Sequence, residues 1–189
     1  VAEGCRATLG LEIGPVVTTD QPLEVQLEQG SSGSSWGRLG RPDALLRAGE
    51  RLKQAGATAI AVVARFPEDP ASEELAAYRA GSGVDALAGA EAVISHLLVR
   101  HLQIPCAHAP ALAPLPLDPQ LDPRAAGEEL GYTFLACVLV GLSQAPARLP
   151  AGEGALQAAQ LGAVVAPEGA LGGEAVLACL ERGVPLITV

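Results

Sequence analysis

Ala57-Thr58-Ala59-Ile60-Ala61-Val62-Val63-Ala64-Arg65-Phe66 is the stretch on which the fold turns. It is rich in β-branched residues, too short for an ordinary helix and apolar at consecutive positions. A strand of a half-buried antiparallel sheet alternates apolar and polar side chains, whereas a central parallel strand is covered on both faces and does not. The stretch therefore predicts a parallel strand, which in turn demands helical crossovers on either side. It breaks at Pro67-Glu68-Asp69-Pro70.

The flanking sequence supplies those crossovers. Upstream, Pro42 and Asp43 open a helix that runs through Ala44 to Gln54 and ends before Gly56, with proline in the first turn and glycine past the end. Downstream, Ser72-Glu73-Glu74 starts a helix reaching Arg79. Val84 to Leu102 reads as a long helix with Ala88, Ala92, Ser95, Leu98 and Leu102 at helical spacing; Ala92 to Ser95 also fits a short strand. Ile104 to Ala109 is the next strand, confined by Pro105 to a strand start or an edge. Further strands are expected at Pro15 to Asp20, at Leu23 to Glu28 (alternating, hence half-buried), at Tyr132 to Leu142, at Ala163 to Ala166 and at Gly183 to Val189. Helices are expected over Val1 to Leu11, Arg124 to Leu130, Ala155 to Leu161 and Glu174 to Arg182. The expected fold is α/β, an open, largely parallel sheet with helices on both faces, in Rossmann-like or flavodoxin-like strand order. Residues 1–189 would form a single domain, with a point of subdivision at the proline-rich connector 110–123, and both chain ends read as cut from a longer protein.

Composition narrows the function. Of 189 residues, 49% are hydrophobic, mean hydropathy is +0.32 and the chain has one Trp, two Tyr and two Phe, a core of small aliphatic side chains suited to helix-on-sheet layers. A net charge of −9 argues against nucleic acid and against anionic membrane surfaces as partners. No apolar run approaches the roughly 18 residues of a membrane span. Cys5, Cys106, Cys137 and Cys179 form no C-x-x-C pair, which suits free thiols in a reducing, cytoplasmic setting.

The stretches SSGSSWG, AIAVVARFPED, GVDALAGAEAVISHLLVRHLQIPCAHAPAL and EELGYTFLACVLVGLSQAP together resemble domain-of-unknown-function family 3326, found chiefly in photosynthetic bacteria. The resemblance runs from about Pro15 to Pro146, with weaker agreement in the closing GGEAVLACLERGVPLITV. It implies a longer parent chain and no activity, so no residue gains a role through it.

Candidate site residues follow from the fold instead, because ligands of an open parallel sheet sit beyond the carboxyl ends of its strands. The loop Ser31-Ser32-Gly33-Ser34-Ser35-Trp36 offers hydroxyls and backbone N–H groups to an anion, with Trp36 as the apolar face of a lid; a flexible surface connection is the plainer reading. The loop has neither the lysine of a Walker loop nor the spacing of a dinucleotide fingerprint. Arg65 suits a carboxylate or phosphate, or an ion pair with Glu68, Asp69 or Asp20. Cys106 and His108 share a face and, with Asp20, are the catalytic candidates. Gly172 and Gly173 precede a helix and form a candidate anion turn. No metal is expected, since His96 and His101 project roughly 140° apart around a helix, and no cofactor is legible. The reading is of an enzyme, or half of one, acting on a small anionic ligand. The alternatives are a ligand-binding or regulatory module without chemistry, and an assembly domain whose apolar surface pairs with another part of the protein or with a second copy in a homo-oligomer.

Overall fold

The computed structural model describes residues 1–30, 35–67, 72–111, 116–129, 134–145, 157–169 and 171–189. The chain divides into two units, Val1–Ala145 and Pro146–Val189, so the division falls after Ala145 and not in the proline-rich connector. The protein is α/β, and its described strands pair two by two.

In the first unit, α1 (Ala2–Leu9) ends on Gly10, whose φ of 65° makes the left-handed turn that stops a helix. The expected strand at Pro15 to Asp20 does not form: this segment is irregular, and its β-branched residues find no partner strand there. β1 (Val25–Gln29) and β2 (Ser35–Leu39) are antiparallel, with Val25 opposite Leu39 and Gln29 opposite Ser35. α2 (Pro42–Gln54) follows, burying Ala44, Leu45, Ala48 and Gly49. The deciding stretch becomes β3 (Ile60–Ala64), which pairs in parallel with β4 (Cys106–Pro110) from Ile60 opposite Cys106 to Ala64 opposite Pro110. Pro105 sits just before the strand, where its missing N–H costs nothing and its carbonyl accepts from the Ile60 amide at 2.9 Å.

Between the two strands run α3 (Glu73–Arg79) and α4 (Ala88–Leu102). Ser72 caps α3 by accepting the Leu75 amide at 3.2 Å, and α3 buries no residue of its own. Ser72→Ala is therefore expected to weaken this helix locally by about 1 kcal/mol. Amide exchange over residues 73–79 should accelerate, with the unfolding midpoint nearly unchanged.

α4 is the organising helix, and the strand alternative for Ala92 to Ser95 falls away. Its buried stripe is Ala90, Ile94, Leu98 and Leu102, one turn apart, joined by Leu45, Ile60, Ala64 and Phe66 in one core cluster. Ala88, expected on that stripe, is exposed. The helix ends at Gln103, a non-glycine residue at φ 57°, whose side-chain amide offsets the strain by donating to the Arg100 carbonyl at 2.7 Å. Lys53 of α2 donates to the Leu102 carbonyl at 2.7 Å and so covers the same helix end. The start of α4 packs on β2 with almost no space between backbones. An added Cβ on Gly89 would lie 2.2 Å from the Trp36 Cα, and one on Gly37 2.3 Å from the Ala90 Cβ.

α5 (Pro123–Gly127) is short and capped by Asp122. α6 (Leu135–Ser143) replaces the strand expected at Tyr132 to Leu142 and packs against both β3 and β4. In the second unit, a single 3-10 turn at Ala158–Gln160 stands where a helix was expected over Ala155 to Leu161. β5 (Val164–Ala166) and β6 (Leu186–Thr188) pair in parallel across α7 (Glu174–Glu181). Among the described residues, no helix is long and apolar enough to cross a membrane.

Candidate functional site

Strand alternation puts Ile60, Val62 and Ala64 of β3 and Cys106, His108 and Pro110 of β4 on one face, and α4 lies over that face. Two polar side chains of α4 meet it. Glu91 and Ser95 are one turn apart, adjoin the apolar stripe and are buried, at 3% and 7% exposure. Ser95 Oγ lies 2.5 Å from His108 Nδ1, in a hydrogen bond whose donor depends on the ring tautomer. On the other side of the ring, His108 Nε2 lies 3.9 Å from Glu91 Oε2. That is too long for a hydrogen bond, but an atom placed to one side could reach both groups at about 2.8 Å. The second carboxylate oxygen, Glu91 Oε1, is buried with no hydrogen-bond partner among the described residues.

More acid surrounds this pair. Asp85, before α4, accepts the Leu87 amide at 2.8 Å. Glu128, just beyond α5, accepts from the Tyr78 hydroxyl of α3, and burial pushes that phenol up. Burial, together with the charges of Asp85 and Glu128, raises the Glu91 carboxyl to about 7. Burial likewise raises Asp85, with Glu128 adding to it. His108 moves the other way, lowered by burial and by the nearby His96. A carboxyl that holds its proton towards neutrality thus faces an imidazole that stays neutral there, which is the environment of an acid–base pair.

His108 is the one sequence candidate at the centre of this cluster. Cys106 shares its face, but burial raises the thiol to about 11 and its Sγ points to the Ile104 carbonyl at 3.4 Å, so it is a packed thiol and a poor nucleophile. Asp20 is engaged elsewhere, its two oxygens each 2.8 Å from the Arg47 guanidinium of α2, which lowers its carboxyl. Arg65 is exposed immediately after β3, and the next residue, Phe66, is buried in the core cluster. Alternation therefore turns Arg65 away from the face that carries His108. Ser31, Ser32, Gly33 and Ser34, with Glu68 and Asp69, lie outside the described residues. Ser35 and Trp36 belong to β2 and not to a loop: the Ser35 hydroxyl accepts the Gly89 amide at 3.3 Å, and Trp36, 47% exposed, has the Arg38 guanidinium 5.9 Å from its ring centre. Gly172 and Gly173 are exposed in the second unit, where Gly173 caps α7. His101 pairs with Glu50 at 2.6 Å, and among the described residues no three His, Cys, Asp or Glu side chains converge to hold a metal.

Glu91, Ser95 and Asp85 were not singled out as site residues. The signal was present in AGAEAVISHLL, where one acid interrupts a helix that is otherwise small and apolar, with a serine one turn later.

Comparison with known proteins adds kinship but no chemistry. The family described as protein of unknown function (DUF3326) matches residues 1–189. An uncharacterized lipoprotein of Synechococcus sp. is 56% identical over 192 residues, covering 100% of this chain and 54% of its own length. The chain thus spans about half of that relative. No solved structure matches it.

Proposed function

The chain belongs to the DUF3326 family, a family of unknown function, and from the geometry of its first unit we propose that it is the acid–base half of an enzyme acting on a small molecule. His108 takes a proton from the ligand at Nε2, the Glu91 carboxyl returns one, and Ser95 holds the imidazole ring in place. The β3–β4 pair, with α4 and α6 packed on it, is read here as the piece of open parallel sheet that carries this site. The observation that supports the reading is the pair itself, a buried carboxylate with one oxygen unsatisfied among the described residues beside a half-buried imidazole. A structural core network would close its own hydrogen bonds; leaving one carboxylate oxygen unpaired costs roughly 1–3 kcal/mol.

The description of the Synechococcus relative as a lipoprotein supports a lipid-anchored parent protein for this chain, in place of the cytoplasmic setting suggested by the free cysteines. The acid–base reading depends on neither location.

The test is turnover. A metabolite extract incubated with the full-length protein should lose one compound and gain another, followed by mass spectrometry. His108→Asn and Glu91→Gln should each slow that conversion by at least about 100-fold. Equal rates in the variants, or no compound consumed at all, would overturn the reading.

A further inference from the structure

We propose that the open face of the β5–β6 pair in the second unit is the seat of an apolar helix from the part of the parent protein outside residues 1–189. The proposal concerns a different unit from the acid–base pair and rests on nothing in that reading.

Alternation sends Val164 and Ala166 of β5 with Leu186 of β6 to one side of the pair, and Val165 with Ile187 to the other. α7 packs on both strands, and Ala166 and the helix residue Val176 are the buried apolar side chains among the described residues of this unit. The other side is open: Val165 and Ile187 stand opposite each other at 62% and 49% exposure. Leu161, Leu177 and Leu180 are exposed as well, so the unit encloses very little core of its own. A parallel sheet is covered by helices on both faces. Two strands of three residues each are also too little sheet to stand alone.

The size of the face selects the occupant. At roughly 3.3 Å per residue it is about 10 Å long and, across two strands, about 10 Å wide. That is on the order of 100 Å², against the ~800 Å² that each partner of a stable complex buries, so this face alone cannot hold a second copy. A segment tethered in the same chain needs far less area, because its effective concentration is roughly millimolar. The length for such a segment exists in the Synechococcus relative, which is 56% identical across this whole chain yet has only 54% of its own length covered by it. A crossover helix takes only about a dozen residues of the remainder. The chemistry of the seat, two large β-branched side chains and no charge, calls for the apolar stripe of a helix, as α7 already supplies on the other side.

Photo-crosslinking in the full-length protein tests the seat. The benzophenone amino acid p-benzoylphenylalanine replaces Val165 or, should that variant fold poorly, Ile187, and the irradiated protein is digested and read by mass spectrometry. The probe should join a segment outside residues 1–189 of the same chain, with the intact mass that of one copy. In a separate variant, Val165→Cys should react with maleimide at least about tenfold more slowly in the folded full-length protein than in urea, counted peptide by peptide. Crosslinks that end within residues 1–189, crosslinks that join two copies and double the mass, or no crosslink at all would overturn the proposal. So would a Val165→Cys thiol that is labelled as fast in the folded protein as in the unfolded one.

Discussion

Gly89→Ala is expected to destabilise the first unit by at least about 3 kcal/mol, although replacing a helical glycine by alanine ordinarily helps. The intrinsic preference favours alanine by up to about 1 kcal/mol. Against it stands the new Cβ, which would lie 2.2 Å from the Trp36 Cα, 2.4 Å from the Ser35 carbonyl oxygen and 2.5 Å from the Trp36 amide nitrogen. All three are backbone atoms of β2, so no side chain can rotate out of the way. Either α4 lifts from the hairpin, losing the packing of Ala90 and Ile94, or β2 leaves its register with β1. Overpacking of this kind commonly costs 1–3 kcal/mol and more when backbone must yield, that is about 3 kcal/mol here. Gly141→Ala is the matched control. Gly141 lies inside α6 with nothing within 4 Å of an added Cβ, so it should be neutral or stabilising by up to about 1 kcal/mol. Urea unfolding followed by Trp36, the single tryptophan, reads the first unit directly. Equal midpoints for the two variants would show that the α4–β2 contact is looser than described.

The same contact shows where the sequence was legible. ATAIAVVARF announced a parallel strand because a short run of consecutive apolar, β-branched residues lacks the alternation of a half-buried antiparallel strand, although in the fold Val63 on its second face is 47% exposed. The helix α2 was equally plain, with proline at its start and glycine beyond its end. The run YTFLACVLVGL misled for a physical reason. Continuous apolarity without alternation does not by itself tell a strand from a helix, and α6 buries none of its residues fully. The hairpin was half seen. Leu23 to Glu28 alternates visibly, whereas Ser35 to Leu39 was absorbed into a serine-rich loop although its burial alternates in turn along β2. Glycine there serves the approach of α4, not flexibility.

The site was legible only through His108, because a strand puts a polar residue on a definite face while a helix hides one among its neighbours. Glu91 and Ser95 become partners of His108 only once β4 returns alongside β3 and brings residue 108 under α4. Spacing along the chain carries no trace of that meeting. The pairing of Arg65 with His108 on one rim failed by the same rule of alternation that placed His108: Phe66 takes the inward position, and its neighbour must point out.

The ionisation of Glu91 gives the second large effect. Folding raises this carboxyl from 4.5 to about 7, so the folded chain holds the proton more tightly than the unfolded one. Below about pH 4.5 both forms are protonated and the group is neutral in its effect on stability. As the pH climbs towards 7 the unfolded chain gains a solvated carboxylate while the folded one keeps a buried acid, and stability falls until the folded group also ionises. At roughly 1.4 kcal/mol per pH unit the full loss approaches about 3 kcal/mol. Glutamine never ionises, so Glu91→Gln should match the parent near pH 4.5, gain on it through pH 7 and hold a constant lead of about 2–3 kcal/mol above that. His108 works in the opposite sense. Its lowered imidazole stays neutral in the fold, so stability is lost as the pH falls through 6.5, but this loss is common to both proteins and largely cancels in their difference. Urea midpoints of parent and Glu91→Gln between pH 4.5 and 8.5 measure that difference directly. Parallel curves would mean that Glu91 ionises as an ordinary surface carboxylate, and the acid of the proposed pair would be lost with it.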